Sequence, residues 1–209
     1  IKISFADLTH TGQLIAANTT PLGVSYVAAY AKQIFQDEID VEIFRYPDDL
    51  SNYLDKNMPK IACFSSFSWN IKLGHEYARL IKETSPETIT IFGGPNFPAT
   101  REEQEVFLKK HPEIDAYVEF EGEKSFVSLI HALKVLDFDW KEFKKQRTVV
   151  PNLRYLVDDK IIVCELGARV KDMNELPSPY LNGMMDKFFD DILIPMIQTT
   201  RGCPFTCSF

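Results

Sequence analysis

The sequence predicts an α/β fold built on a parallel sheet, and three observations carry that reading. Short apolar runs alternate with stretches of helical periodicity over the first 135 residues. This is the pattern of βα units whose helices cover both faces of a sheet. The run Ile61 to Ser65 is apolar at successive positions, as a strand buried on both faces requires. The segments that follow these runs are rich in Gly, Ser, Thr and Asn, residues suited to turns and helix caps.

Taken in order, Ile1 to Ala6 reads as the first strand and residues 7–20 as a long polar loop. Pro21 opens a helix, where its missing N–H is not needed, with Leu22, Val27, Tyr30, Ala31 and Ile34 as its apolar face. Val41 to Arg45 is a second strand, and Asp48 or Asp49 caps a short helix through Leu50, Tyr53 and Leu54. Ile61 to Ser65 is the third strand. Asn70 begins a helix with Ile71, Gly74, Tyr77, Ala78 and Ile81 inward. Thr88 to Phe92 is the fourth strand, and Thr100-Arg101-Glu102-Glu103 reads as a capping box. Asp115 to Glu119 is the fifth strand, followed by a helix that turns Phe126, Leu129, Ile130 and Leu133 inward. Right-handed crossovers then favour a five-stranded parallel sheet of flavodoxin-like order 2-1-3-4-5.

Beyond this unit, residues 136–151 read as a linker. Asn152 to Val157, Asp158-Asp159 and Lys160 to Glu165 read as a β-hairpin, a small appendage to the sheet. A Pro-rich connector occupies residues 171–190, and Leu193 to Thr200 would open a following domain as its first strand. The expected division is 1–136, 137–191 and 192–209.

The formal net charge is −7, with a pI near 5.2, which argues against a nucleic-acid surface. The basic run Lys141, Lys144, Lys145 and Arg147 reads as a solvated face. No apolar run approaches a membrane span of about 20 residues. Four unevenly spaced cysteines do not make a disulfide framework, so a reducing cytoplasm is the expected compartment. Cys63 and Cys164 sit alone in apolar runs and read as packing residues. His75, His111 and His131 read as surface or boundary residues.

In open α/β sheets ligands bind beyond the carboxyl ends of the strands. There the sequence places the loop holding Thr9, His10, Thr11 and Gly12, then Ser65, Ser66 and Ser68, then Gly93, Gly94 and Pro95, then Glu121, Gly122 and Glu123. Glycines allow a ligand to approach the backbone, and serine hydroxyls both donate and accept. The combination suits a large, polar, nucleotide-like ligand. No Gly-x-Gly-x-x-Gly follows the first strand and no Walker Gly-Lys-Ser/Thr is present, which weakens NAD, FAD and ATP as candidates.

The final stretch, Arg201-Gly202-Cys203-Pro204-Phe205-Thr206-Cys207-Ser208-Phe209, sets two thiols three residues apart. Thiolates suit iron–sulfur clusters or zinc, and zinc ribbons favour a two-residue spacing and a second pair. With Pro21-Leu22-Gly23, Gly93-Gly94-Pro95, Glu121-Gly122-Glu123, Leu176-Pro177-Ser178-Pro179-Tyr180 and Arg201-Gly202-Cys203-Pro204, the chain resembles the N-terminal part of a cobalamin-binding radical S-adenosylmethionine (radical SAM) enzyme. Cys203 and Cys207 then resemble the first two positions of Cys-x3-Cys-x2-Cys, and the chain looks cut inside that motif.

The resemblance implies cobalamin at the C-terminal sheet edge, its nucleotide tail near Ser65, Ser66, Ser68, Gly93 and Gly94. It also implies a barrel domain holding a [4Fe–4S] cluster and S-adenosylmethionine, which yields a 5′-deoxyadenosyl radical, with methyl transfer as the expected outcome. The fragment alone is not expected to catalyse. One departure concerns Asp7-Leu8-Thr9-His10-Thr11-Gly12, which is Asp-x-x-His-x-Gly where methionine-synthase-type corrinoid proteins carry Asp-x-His-x-x-Gly. His10 is therefore out of frame for a cobalt ligand, and a plain loop histidine remains its alternative. Two other readings stay open. One is a radical SAM fragment whose N-terminal domain has lost cobalamin and serves as an interaction or substrate-binding domain. The other is a cofactor-free receiver domain, against which the absence of an Asp at Ser65-Ser66 counts.

Overall fold

The computed structural model describes residues 1–12, 15 and 17–202. Its strands are β1 (Lys2–Ala6), β2 (Asp40–Phe44), β3 (Ile61–Ser65), β4 (Ile89–Gly93), β5 (Ala116–Val118), β6 (Leu153–Val157) and β7 (Lys160–Val163). They form one sheet in the order β2-β1-β3-β4-β5-β6-β7. The first five are parallel in the expected order. The sheet has seven strands where the sequence suggested five and a separate appendage. β6 pairs antiparallel with β5, and β7 with β6. The hairpin joins the sheet because β5 would otherwise leave a row of unpaired backbone groups at an edge, and because Leu153 and Tyr155 reach the main core. Its turn has Asp158 at φ 48° and Asp159 at φ 59°, the two positive angles of a type I′ turn.

The helices are α1 (Leu22–Phe35), α2 (Pro47–Leu54), α3 (Ile71–Thr84), α4 (Arg101–Lys110), α5 (Glu123–Val135) and α6 (Trp140–Lys145). Side chains alternate across each strand, and two cores result. Ile3, Phe5, Ile61, Cys63, Ile89 and Ile91 face α1, α5 and α6. Ala6, Ala62, Phe64, Phe92 and Tyr117 face α2, α3 and α4.

Several helix details differ from the sequence reading. Pro21 is the N-cap of α1 rather than its first residue. Ile34 is exposed, and the buried face is Leu22, Ser25, Ala28, Ala29, Ala31 and Phe35, small residues that let α1 lie close to the sheet. Tyr46 precedes α2 with Pro47 at its start, and Asp48 and Asp49 sit in the first turn, where the helix dipole favours carboxylates. The Thr100 cap of α4 stands, accepting from the Glu103 N–H at 3.3 Å and donating to the Glu103 carboxylate at 2.8 Å.

Residues 136–151 contain α6, capped by Asp139, whose Trp140 and Phe143 are buried against Tyr155. Composition alone hid it because its polar face is unusually charged. The connector buries Met185 and Phe188 in the main core, and Leu193, just beyond it, joins them. Leu193 to Thr200 makes one parallel bridge, Thr19 to Ile194, rather than a strand. Among the described residues no helix is long and apolar enough to cross a membrane.

Candidate functional site

The order of the strands reverses between β1 and β3, the place where open α/β sheets receive ligands. There β1, β3, β4 and β5 end in register. Phe5, Cys63, Ile91 and Ala116 form one cross-strand row. Two residues on, Ser65, Gly93 and Val118 form the next. By strand alternation both rows face α1 and α5. The missing side chain at Gly93 leaves a gap between Ser65 and Val118, and a cleft of about 390 Å³ opens above it. Its floor is apolar: Phe5, Cys63, Ile91, Val118 and Phe126. Its mouth is polar and includes Glu121, Glu123, Arg169 and Arg201.

Under one wall lies a buried ionic network. The Asp7 carboxylate meets Arg45 at 2.8 Å and accepts from Ser65 Oγ at 2.5 Å and Asn70 Nδ2 at 2.8 Å. Arg45 also donates to the Asp7 and Ala17 carbonyls. Burial pushes the Asp7 carboxyl above its ordinary range, against the opposing pull of Arg45, Ser65 and Asn70. Burial likewise lowers the Arg45 guanidinium, with Asp7 opposing. The network fixes the ends of β1, β2 and β3 and the start of α3 at the switch point. It was legible in the sequence only as four unrelated polar residues.

Of the residues singled out in the sequence, Ser65, Gly93, Gly94, Glu121, Gly122 and Glu123 line the cleft. Ser66 is buried beside it, its N–H bonded to the Gly93 carbonyl at 2.7 Å. Ser68 and Pro95 are exposed and lie outside the lining. Thr9 is buried and accepts from the Ala17 N–H at 3.0 Å. His10, Thr11 and Gly12 are exposed, and none of these four lines the cleft. Cys203 and Cys207 lie outside the described residues. Cys63 and Cys164 are buried free thiols, and burial raises the Cys63 thiol well above its usual value.

Sequence reasoning missed Asp7, Phe120 and Arg201. Phe120 stands at the cleft mouth, 66% exposed, with φ 59°, a conformation that costs a bulky residue energy. Its only signal was an aromatic residue at the carboxyl end of a buried strand. It also misplaced His75, which is buried and pairs with Glu113 at 2.7 Å, while His111 pairs with the same oxygen at 3.2 Å. The loop before β5 brings that carboxylate under α3, a contact no local pattern announces. Burial, then the neighbouring His111, lowers His75. Burial opposes ionisation of Glu113, but hydrogen bonds from its own backbone, His111 and His75 prevail and lower it.

A flavodoxin-like strand order with an apolar cleft and a polar mouth at the switch point defines a ligand-binding α/β domain. Residues 12–130 match the family model described as B12 binding domain. The chain belongs to that family. It is 29% identical over 162 residues to the cobalamin-dependent radical SAM methyltransferase TokK of Streptomyces tokunonensis, covering 72% of this chain and 22% of that protein. It is 28% identical over 215 residues to the anaerobic magnesium-protoporphyrin IX monomethyl ester cyclase of Rubrivivax gelatinosus, covering 95% of this chain and 36% of that one. A solved structure of the cobalamin-dependent S-adenosylmethionine radical enzyme OxsB, with aqua-cobalamin and S-adenosylmethionine bound, matches with a TM-score of 0.66 at 20% identity. That match covers 97% of this chain and 27% of that one, and it speaks for the fold. The chain thus spans well under half of these relatives.

Proposed function

We propose that the cleft receives the nucleotide end of cobalamin and leaves the corrin ring facing outward. The observation that carries this is the gap at Gly93 over an apolar floor. The lining fits the group: Phe5, Ile91, Val118 and Phe126 offer apolar surface to a flat base. The Ser65 oxygen, whose proton is given to Asp7, and the backbone at Gly94 offer polar atoms for the remainder of the tail. Bound cobalamin would supply a cobalt centre able to carry a methyl group. The residues of this chain bind and orient it, and Cys63 and Phe126 keep water from its inner end. His10, exposed and outside the lining, is not assigned to cobalt.

In the longer protein, residues 1–136 are the cofactor domain, 137–191 connect, and 192 onward begins a barrel in which Cys203 and Cys207 contribute to a [4Fe–4S] cluster that binds S-adenosylmethionine. The reaction is radical methyl transfer, carried out in the cytoplasm. Cyclase relatives that match along 95% of the chain carry a second reading, radical ring formation on the same domain plan. Hydroxocobalamin mixed with the protein under reducing conditions should co-elute on gel filtration with a corrinoid spectrum. A colourless protein peak overturns the cobalamin assignment.

A further inference from the structure

The carboxylates of Glu121-Gly122-Glu123 are already occupied by the chain itself. Glu123, the first residue of α5, is 3% exposed. Its Oε2 accepts from Arg201 Nη1 at 3.0 Å, and its Oε1 accepts from Arg201 Nη2. A two-pronged guanidinium–carboxylate pair fixes orientation as well as distance. Glu121 stands behind, 3.9 Å from Arg201 Nη1, and takes the Val170 N–H at 2.6 Å. The Arg201 guanidinium also lies over the Tyr26 ring of α1, 5.7 Å from its centre. Donating hydrogen bonds to Glu123 holds the guanidinium above its ordinary value. Gln198, Arg201 and Gly202 all border the cleft.

We infer that Glu123 is a positioning residue that clasps Arg201 and thereby seats segment 198–202 across the mouth of the cleft. The turn 121–123 is then a socket for this segment and not a ligand contact. That the segment closes over cobalamin rests on the function proposed above; the clasp itself does not.

The test uses the ligand-free full chain, with phenylglyoxal modification of each arginine followed by peptide mass spectrometry. The Glu123→Gln variant should raise the modification rate of Arg201 by about tenfold, the scale of one lost charge-assisted pair. Arg147, which is exposed, serves as reference and should not change. Glu121→Gln should have the smaller effect. A rate at Arg201 within twofold of wild type in Glu123→Gln overturns the clasp. So does an increase shared equally by Arg45, which signals general loosening. The Arg201→Lys variant, altered on the segment and not in the core, gives a second measure. Losing the fork should make trypsin cleavage at position 201, taken relative to cleavage of a short peptide carrying the same Arg-Gly or Lys-Gly bond, faster than in wild type, and an equal or slower relative rate overturns the proposal. Hydroxocobalamin added to wild type should slow modification of Arg201; unchanged modification of a corrinoid-loaded protein overturns closure over the cofactor. Failure to load any corrinoid counts against the cobalamin reading and leaves the ligand-free result standing.

Discussion

Gly93 and Gly94 are neighbours in the chain, yet a side chain at each should fail in different ways. At Gly94 a Cβ would lie 2.8 Å from the Ser66 carbonyl oxygen and 3.1 Å from its nitrogen, and φ is +122°. Both objections concern backbone, which cannot swing aside. Gly94→Ala should therefore cost about 1–3 kcal/mol of stability from strain alone. With an m-value of about 2 kcal/mol/M, that lowers the urea midpoint by roughly 0.5–1.5 M. At Gly93 the nearest atom to a Cβ is the Val118 carbonyl oxygen at 3.4 Å, an ordinary contact. The position ends a strand, where Val is a favoured residue. Gly93→Val should thus unfold within about 0.5 kcal/mol of wild type. Its side chain would instead fill the gap in the Ser65, Gly93, Val118 row. Overpacking of about 1–3 kcal/mol against the ligand corresponds to a loss of about 5- to 150-fold in hydroxocobalamin affinity. Absorbance titration and urea unfolding of the two variants separate the effects. Wild-type affinity in Gly93→Val would refute the placement of the ligand, and equal destabilisation of both variants would refute the steric argument.

Three further outcomes are expected. Arg45→Met removes one partner of the buried Asp7 pair and should lose about 3–5 kcal/mol in urea unfolding; a loss under about 1 kcal/mol would mean the pair is not structural. Phe120→Gly relieves the left-handed backbone and should gain up to about 1 kcal/mol while weakening corrinoid binding; a gain in stability with unchanged binding removes Phe120 from the ligand site. Finally, stability should fall as pH drops from 6.5. His75 has a folded value below its ordinary one, so between the two the unfolded chain binds more protons and acid favours unfolding. Glu113 is lowered too, and its contribution is present above its unfolded value of 4.5 and is lost as pH falls through its folded value. Arg79 and His111 face the same carboxylate and belong to the same titration. A urea midpoint that stays flat from pH 7 to 5 contradicts the His75 part.

The sequence by itself determined the parallel core. Strand and helix periodicities report which residues meet a buried face, so the five βα units were legible, as were the inward residues of α5 and the Thr100 cap, while the 2-1-3-4-5 order was an expectation of the fold class that the structure bears out. The Gly93-Gly94 turn was legible too, because a glycine pair after a buried strand has few other uses. What only the tertiary structure decided are contacts between residues far apart in the chain. The hairpin joined the sheet because β5 had an edge to satisfy, which the hairpin's own pattern does not record. His75 moved inside because Glu113, 38 residues on, supplied its partner. Asp7 became the centre of the switch point because Arg45, Ser65 and Asn70 converge on it. Glu123, read as a ligand contact, turned to Arg201, 78 residues away. Periodicity reports the burial of a face; a partner for a buried charge is chosen by the fold.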